Sequence, residues 1–178
     1  MGANDIRTAV NISALEFSDD DFKGNVLSAL NNAGLGAQHL ELEITESTII
    51  ADQEATHKLI DDLRFHGVTM TLDDFGTGYS SLSYFGNLDL DWLKLDRSFL
   101  VKAMSNDRSQ SIYTSVVKMV HAAGVKVVSE GIETQEQYRY IKKLKVDEFQ
   151  GYMISKPVDS ESVTELLFPS ISNKKCNA

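Results

Sequence analysis

Gly67–Asp74 reads GVTMTLDD and Gly124–Glu130 reads GVKVVSE, and these two stretches decide the fold class. In each, a glycine is followed by five mostly apolar residues and then by an acid, Asp73 or Glu130. A helical apolar pattern precedes each glycine, so the order is helix, glycine stop, buried strand and acid. The same alternation of helix and strand recurs along the chain. It predicts a parallel sheet with helices packed against it.

Six strands are predicted from this pattern, with amphipathic helices between them. The strands are Ile6–Ile12, Leu40–Ile44, Val68–Leu72, Trp92–Leu95, Val125–Val128 and about Glu148–Ile154. Ser18–Asp21 resembles a helix-capping box, as does Thr134 with Gln137, and Gly34 is a predicted helix stop. Six such strands fit either an open doubly wound sheet or about six of the eight units of a β/α barrel.

Composition bounds the possible classes of protein. The chain has 178 residues, of which 42% are hydrophobic, which is enough for one domain with its own core. Its net charge of −9 would repel a nucleic-acid polymer. No apolar run approaches the roughly 20 residues of a membrane span, and the single cysteine, Cys176, fits a reducing, cytoplasmic location. We expect one domain over 1–168 and a disordered tail over 169–178.

Polar groups end five consecutive predicted strands, at the edge that is the catalytic face of a β/α barrel. They are Asn11, Glu41, Glu43, Glu46, Asp73, Lys94, Asp96 and Glu130. Carboxylate and amide oxygens without cysteine or a histidine pair suit Mg²⁺, Mn²⁺ or Ca²⁺ rather than zinc. Two unit charges 4 Å apart repel by roughly 4 kcal/mol at an effective dielectric of 20, so converging carboxylates require cations.

Two residue pairs at this edge leave alternatives open. Asp73 and Asp74 would face opposite ways within a strand, but both can turn to the rim where the strand breaks, and one could bridge two metals. Lys94 lies in an apolar strand and needs a partner. It is either a plain ion pair with Asp96 or part of the site. Acids at strand ends also cap helices or solvate loops, but five strands in register favour a site.

Five motifs together identify a family resemblance. They are Glu43-Ile-Thr-Glu46, Leu72-Asp-Asp-Phe-Gly-Thr-Gly-Tyr-Ser-Ser-Leu82, Lys94-Leu-Asp96, Ser129-Glu-Gly-Ile-Glu133 and Gln150-Gly-Tyr152. In sequence, order and spacing they resemble the EAL domains, metal-dependent phosphodiesterases that act on the bacterial messenger cyclic di-GMP. The resemblance runs from about Ile6 to Leu167. It implies a β/α barrel in which one strand is antiparallel.

The resemblance also implies a site with two cations, Mg²⁺ or Mn²⁺. Asn11, Glu43 and Asp73 would coordinate one of them. Asp73, Asp74 and Glu130 would serve the second. The product would be the linear dinucleotide, formed by opening one phosphodiester bond.

Four catalytic roles follow from the same resemblance. Glu130 would help activate the attacking water, and Lys94 would hold that water or the phosphate. Gln150 would contribute polar contacts. Glu46 would anchor the loop Asp74–Ser81, which couples the site to dimerisation. A homo-oligomer, cyclic di-GMP as ligand and an upstream sensory or cyclase domain in a larger signalling protein are expected partners.

One departure from the family pattern concerns the upstream end. The Glu-Ala-Leu segment that names the family is absent from these 178 residues. With it would go about two barrel strands, a helix, one metal-ligand glutamate and a phosphate-binding arginine. We therefore expect a truncated, impaired phosphodiesterase domain. The alternative is a non-catalytic module that binds cyclic di-GMP or another protein. A lyase or enolase-type barrel shares the metal face but lacks support from the motifs.

Overall fold

The computed structural model of the chain describes residues 6–77, 86 and 88–167, except the side chains of residues 50 and 51. The strands in this part are β1 Thr8–Ile12, β2 Leu40–Thr45, β3 Thr69–Phe75, β4 Trp92–Leu95, β5 Lys126–Ser129 and β6 Glu148–Phe149. The α-helices are α1 Ala14–Phe17, α2 Phe22–Ala33, α3 Glu46–Ala51, α4 Gln53–Phe65, α5 Arg97–Ala103, α6 Asp107–Ala122, α7 Gln135–Lys143 and α8 Ser160–Leu167. No described helix is both long and apolar enough to span a membrane.

The strand order decides between the two architectures that the sequence left open. The six strands lie side by side in chain order, and all five neighbouring pairs are parallel. A doubly wound sheet reverses its strand order at a switch point, whereas a β/α barrel does not. The described sheet is therefore six consecutive units of a β/α barrel. The antiparallel strand that the family resemblance implies is not among these five pairs.

The two faces of the sheet differ in character. The face toward the helices is apolar and almost completely buried; it carries Leu42, Ile44, Met70, Leu72, Leu93, Leu95 and Val127. The opposite face carries polar side chains on the same strands, such as Glu41, Glu43 and Thr71. Successive side chains of a strand point to opposite faces, so the alternating sequence LELEIT of β2 produces this division.

The predicted helix cap at Ser18–Asp21 is wrong. The capping box lies earlier, at Ser13 and Glu16, and begins the short helix α1, which the sequence pattern missed. Ser18 follows the end of that helix, and its hydroxyl donates to the carbonyl oxygen of Ala14 at 2.7 Å. A serine followed by acids therefore closes one helix here rather than starting the next.

The predicted sixth strand, Glu148–Ile154, is also too long. Only Glu148–Phe149 is strand, because the chain then turns, and the N–H of Ile154 donates to the carbonyl oxygen of Gly151 at 3.0 Å. The second predicted capping box, at Thr134 and Gln137, is confirmed at the start of α7. The proposed tail lies outside the described residues, as does 78–81 of the predicted loop.

Candidate functional site

Lys94 lies at the centre of a polar cluster at the carboxyl edge of the sheet. Its ammonium nitrogen is 3.0 Å from both carboxylate oxygens of Glu43, 3.1 Å from Oδ1 of Asp73 and 2.8 Å from Oε1 of Glu130. The Lys94 side chain is 9% exposed. Parallel strands in chain order place β2, β3, β4 and the end of β5 side by side, which brings these four residues together.

The partner suggested for Lys94 by sequence spacing, Asp96, is not the one in the structure. Asp96 caps helix α5, where its Oδ1 accepts from the N–H of Ser98 at 2.8 Å. The partners of Lys94 come from other strands. The lysine therefore belongs to the polar cluster at the sheet edge rather than to a local ion pair.

Asp73 and Asp74 both reach the rim, but through a bulge and not through the expected end of the strand, since β3 continues to Phe75. The pairing of β3 with β4 shifts register between Leu72 and Phe75, which marks a bulge. Asp74 has φ of +58°, a left-handed conformation that aspartate tolerates better than most residues. Its N–H donates to Oδ1 of Asp73 at 2.8 Å. The bulge turns two consecutive carboxylates to one side.

Asp73, Asp74 and Glu130 fit a hard divalent cation. Each offers a carboxylate oxygen, and these atoms all lie within 4.8 Å of one another. An all-oxygen donor set suits Mg²⁺, Mn²⁺ or Ca²⁺ and not zinc. We call Glu43 and these three residues the carboxylate cluster.

Burial and like charge oppose ionisation of the cluster. Burial raises the pKa of Glu43 and of Glu130, and nearby Asp73 adds to the rise, while Lys94 only partly offsets it. The pKa of Asp74 is also raised, by burial and by the charge of Asp73. Burial alone would lower the pKa of Lys94, but its bond to Glu130 and the surrounding charges outweigh this and raise it. One ammonium does not neutralise the cluster.

Gln150 reaches the same group of side chains from the end of β6. Its Nε2 donates to Oε1 of Glu130 at 2.7 Å. The next residue, Gly151, permits this because a Cβ there would overlap the backbone of Ile132. At that approach the N–H of Ile132 donates to the carbonyl oxygen of Gln150 at 3.0 Å. A glycine after the glutamine thus fixes the glutamine beside the carboxylate.

The remaining two predicted site residues are Asn11 and Glu46, on elements that adjoin β2. Asn11 is exposed on β1 and pairs in register with Glu43 of β2. Glu46 is half-buried and begins α3 directly after β2. The loop that Glu46 was expected to anchor lies partly outside the described residues, so its anchoring role stays a prediction.

A cavity of about 680 Å³ beside Glu130 and Gln150 was missed by sequence reasoning. Arg97, Tyr152 and Lys156 are among its lining residues. The two basic residues come from α5 and from the turn after β6, 59 positions apart in the chain. Only their nearness to the motifs Lys94-Leu-Asp96 and Gln150-Gly-Tyr152 could have suggested the cavity.

A second polar layer, below the carboxylate cluster, was also missed. Arg7 and Lys126 both lie against the buried ring of Trp92, at 5.1 Å and 4.8 Å from its centre. Arg7 also pairs with Glu41 at 3.4 Å and lies 3.7 Å from Glu148. These five residues come from the position before β1 and from four other strands. The signal was the period-two alternation of polar residues within the strands.

Comparison with known proteins places this geometry in a family. The family model described as the EAL domain matches residues 1–157. The cyclic di-GMP phosphodiesterase NbdA of Pseudomonas aeruginosa is 38% identical over 166 residues, which is 93% of this chain and 21% of NbdA.

Two solved structures have the same fold as the described chain. The MucR phosphodiesterase of Pseudomonas aeruginosa, in complex with cyclic di-GMP, superposes with a TM-score of 0.83 at 35% identity, over 88% of this chain and 64% of that one. BlrP1 of Klebsiella pneumoniae, in complex with manganese and cyclic di-GMP, superposes with a TM-score of 0.79 at 30% identity, over 86% and 40%. The chain thus spans about a fifth of NbdA and less than two thirds of either solved chain. It belongs to the EAL-domain family.

Proposed function

We propose that this chain carries the metal-binding edge of a phosphodiesterase site that hydrolyses cyclic di-GMP to the linear dinucleotide. The observation that carries the proposal is the convergence of Asp73, Asp74 and Glu130 at the carboxyl edge of an EAL-family barrel. Relatives solved with cyclic di-GMP, one of them with manganese, support the substrate and the class of cation.

Charge favours two cations, Mg²⁺ or Mn²⁺, over one. The four acids of the carboxylate cluster and Lys94 together carry a charge of −3 when all are ionised. One divalent cation leaves that charge negative, whereas two make it positive. A ligand with two phosphates is negatively charged and therefore requires a positive site. Asn11, Glu43 and Asp73 would hold one cation, and Asp73, Asp74 and Glu130 the other. Bound there, the metals supply charge neutralisation and a lowered pKa of water.

The chain's own side chains accept the proton of the attacking water and hold the accepting group in place. Glu130 accepts a proton from the attacking water at its carboxylate, as a general base. Gln150 fixes that carboxylate through Oε1. As the water oxygen bonds to phosphorus, one P–O bond of the ring breaks, and the departing sugar oxygen takes a proton from solvent. The ammonium of Lys94 lies close enough to this edge to contact the phosphate.

The cavity beside Glu130 is the proposed place of the nucleotide. Its volume of about 680 Å³ lies within the usual range for small-molecule sites. Arg97 and Lys156 bring positive charge to a dianionic ligand, and the exposed ring of Tyr152 offers a surface on which a purine can stack.

Turnover by these 178 residues alone is proposed to be weak. They span 64% of the solved MucR phosphodiesterase chain. The family resemblance implies a phosphate-binding arginine and one metal-ligand glutamate in the Glu-Ala-Leu segment, which these residues do not contain. The second candidate function, binding of cyclic di-GMP without hydrolysis, is favoured by the same coverage.

Chromatography of cyclic di-GMP incubated with the chain and Mn²⁺ tests the proposal. We expect slow, metal-dependent formation of the linear dinucleotide, and no product from Asp73→Asn. Asp89→Asn, at an aspartate 75% exposed at the other end of the sheet, is the matched control and should keep wild-type turnover. Product without metal, or an active Asp73→Asn variant, would contradict the assigned roles. Binding without product would establish the second candidate.

Self-association is proposed as well. Four of the five residues of β1, one of the two edge strands of the described sheet, are exposed. An exposed edge strand is a template for pairing with another chain. Light scattering across a concentration series should show a mass above 19.8 kDa that rises with concentration. A constant mass of 19.8 kDa would overturn this part.

A further inference from the structure

Lys94 contacts the oxygens that a metal would need. Its ammonium lies within 3.1 Å of Glu43, Asp73 and Glu130, on three different strands or strand ends. We propose that Lys94 is the internal counter-cation of the metal-free site, and that a divalent cation competes with its ammonium for these carboxylates. The inference rests on the proposed function for the position of the metal, but not for hydrolysis.

The carboxylates need a cation in order to be buried together. Glu43 and Asp73 have side chains that are 8% and 12% exposed, and Glu130 is 14% exposed. Charges this close and this far from water repel strongly, and removing one partner of a buried charge group is far more costly than removing an exposed one. With no metal bound, Lys94 is the cation that contacts all three.

The position of Lys94 on β4 restricts where its ammonium can lie. Its neighbours Leu93 and Leu95 are fully buried on the other face, so the strand cannot rotate without exposing them. Two residues earlier on the same face, Trp92 already lies against Arg7 and Lys126. The layer below is therefore already filled by other side chains, and the ammonium stays among the carboxylates.

Competition has two opposite consequences. Lys94 should stabilise the metal-free protein, because it offsets the repulsion between the acids. It should also weaken binding of the first metal ion, since its charge lies beside the metal position and its bonds hold the ligand oxygens. A purely structural lysine would have the first effect without the second.

The variant Lys94→Met separates these consequences, with Mn²⁺ alone as the probe. In EDTA we expect its melting temperature to fall by about 10 °C. By calorimetry we expect Mn²⁺ to bind at least about tenfold more tightly than to the wild type. The matched control is Lys126→Met, which removes the same charge from the layer below. It should leave Mn²⁺ affinity within about twofold. Equal Mn²⁺ affinity in wild type and Lys94→Met would overturn the proposal.

A second substitution tests the same contact, in the Lys94→Met background or, where that variant folds poorly, in Lys94→Gln. Glu43→Gln should raise the melting temperature by more in that background than in the wild type, because only in the wild type does it also remove a partner of Lys94. Equal changes in the two backgrounds would overturn the proposal. This arm is measured in EDTA without nucleotide, so its outcome is independent of whether the chain hydrolyses cyclic di-GMP.

Discussion

The two faces of the barrel sheet are stabilised by different interactions, although the same strands form both. The face toward the helices is apolar, and Ile44, Met70, Leu93 and Leu95 on it are fully buried. The inner face, which points away from the helices, carries charged side chains that are nearly as buried as these apolar ones, with Lys94 at its centre. Burial of apolar area stabilises the first face. On the second face burial is unfavourable, and only ion pairs or bound cations offset it.

This difference indicates where stability and function are located. Parallel strands covered on both sides are usually almost continuous apolar runs. Here the runs alternate, as in Leu40–Thr45 and Trp92–Leu95, so one face holds the fold together and the other presents the chemistry. Changes on the helix face should therefore alter stability alone. Changes of the metal-facing carboxylates at the inner edge should alter metal binding much more than folding.

The largest effect on stability should come from Leu93→Ala on the helix face. Leu93 is fully buried, and such truncations cost about 2–5 kcal/mol in unfolding free energy. Urea denaturation measures this loss, and Mn²⁺ affinity of the folded protein should stay within about twofold. Leu15→Ala, at a leucine 85% exposed on α1, is the matched control and should change little. A large loss of Mn²⁺ affinity in Leu93→Ala would show that the faces are not separable.

The largest effect on metal binding should come from Asp73→Asn on the inner face. Loss of an outer partner of a metal typically costs 10–100-fold in affinity, and a direct ligand should cost at least about 100-fold. Calorimetry with Mn²⁺ measures the affinity, while denaturation in EDTA should show a far smaller loss of stability than for Leu93→Ala. Asp89→Asn is again the control for one lost charge. Unchanged Mn²⁺ affinity would remove Asp73 from the ligand set.

Local patterns predicted much of this division. Trp92–Leu95 has the predicted strand bounds, and the acids at the ends of β3 and β5 meet as expected. The sequence left open that Asp73 and Asp74 both turn to the rim, and the structure achieves this by a bulge within β3. These features depend on a few adjacent residues and on the rule that parallel strands end at one edge.

The rest depends on contacts that are distant in sequence. Lys94 pairs with Glu43 and Glu130, 51 and 36 residues away, so its partners follow from the lateral order of strands and not from spacing. The end of β6 is set by the approach of Gly151 to the backbone of Ile132. Neither contact leaves a periodic signal. The family resemblance supplied the roles of these residues, but not the ammonium among the carboxylates.

A smaller effect on both stability and Mn²⁺ affinity should come from Gly151→Ala, just after the end of β6. The added Cβ would overlap the backbone of Ile132, which cannot move as a flexible side chain would. We expect a loss of about 1–3 kcal/mol, as for other overpacked sites, and a few-fold weaker Mn²⁺ binding because Gln150 no longer holds Glu130.

The matched control for Gly151→Ala is Gly124→Ala. Gly124 has φ of +78°, but an added Cβ would meet only open space there, so this variant tests backbone strain without overlap, at roughly 1 kcal/mol. Denaturation and calorimetry of both variants separate the two causes. An equal loss of stability in the two, with wild-type Mn²⁺ affinity in both, would show that the contact of Gly151 with Ile132 does not position Gln150.

The smallest effect should come from Asp147→Asn, at the end of the sheet opposite the carboxylate cluster. Oδ2 of Asp147 accepts from the N–H of Val127 at 2.9 Å and lies 2.8 Å from Nε2 of His121. Partial burial alone would raise the pKa of Asp147, but these two bonds outweigh it and lower the pKa. An acid with a lowered pKa adds stability above its unfolded pKa, and this stability is lost as the pH falls through the folded pKa. At pH 7 the variant should therefore lose about 1 kcal/mol, and its difference from wild type should shrink toward pH 3 in urea denaturation.

Asp20→Asn, at an exposed aspartate before α2, controls for the lost charge. Because Asp147 lies away from the carboxylate cluster, Mn²⁺ affinity should not change in either variant; a change would mean that the amino end of the sheet is coupled to that cluster.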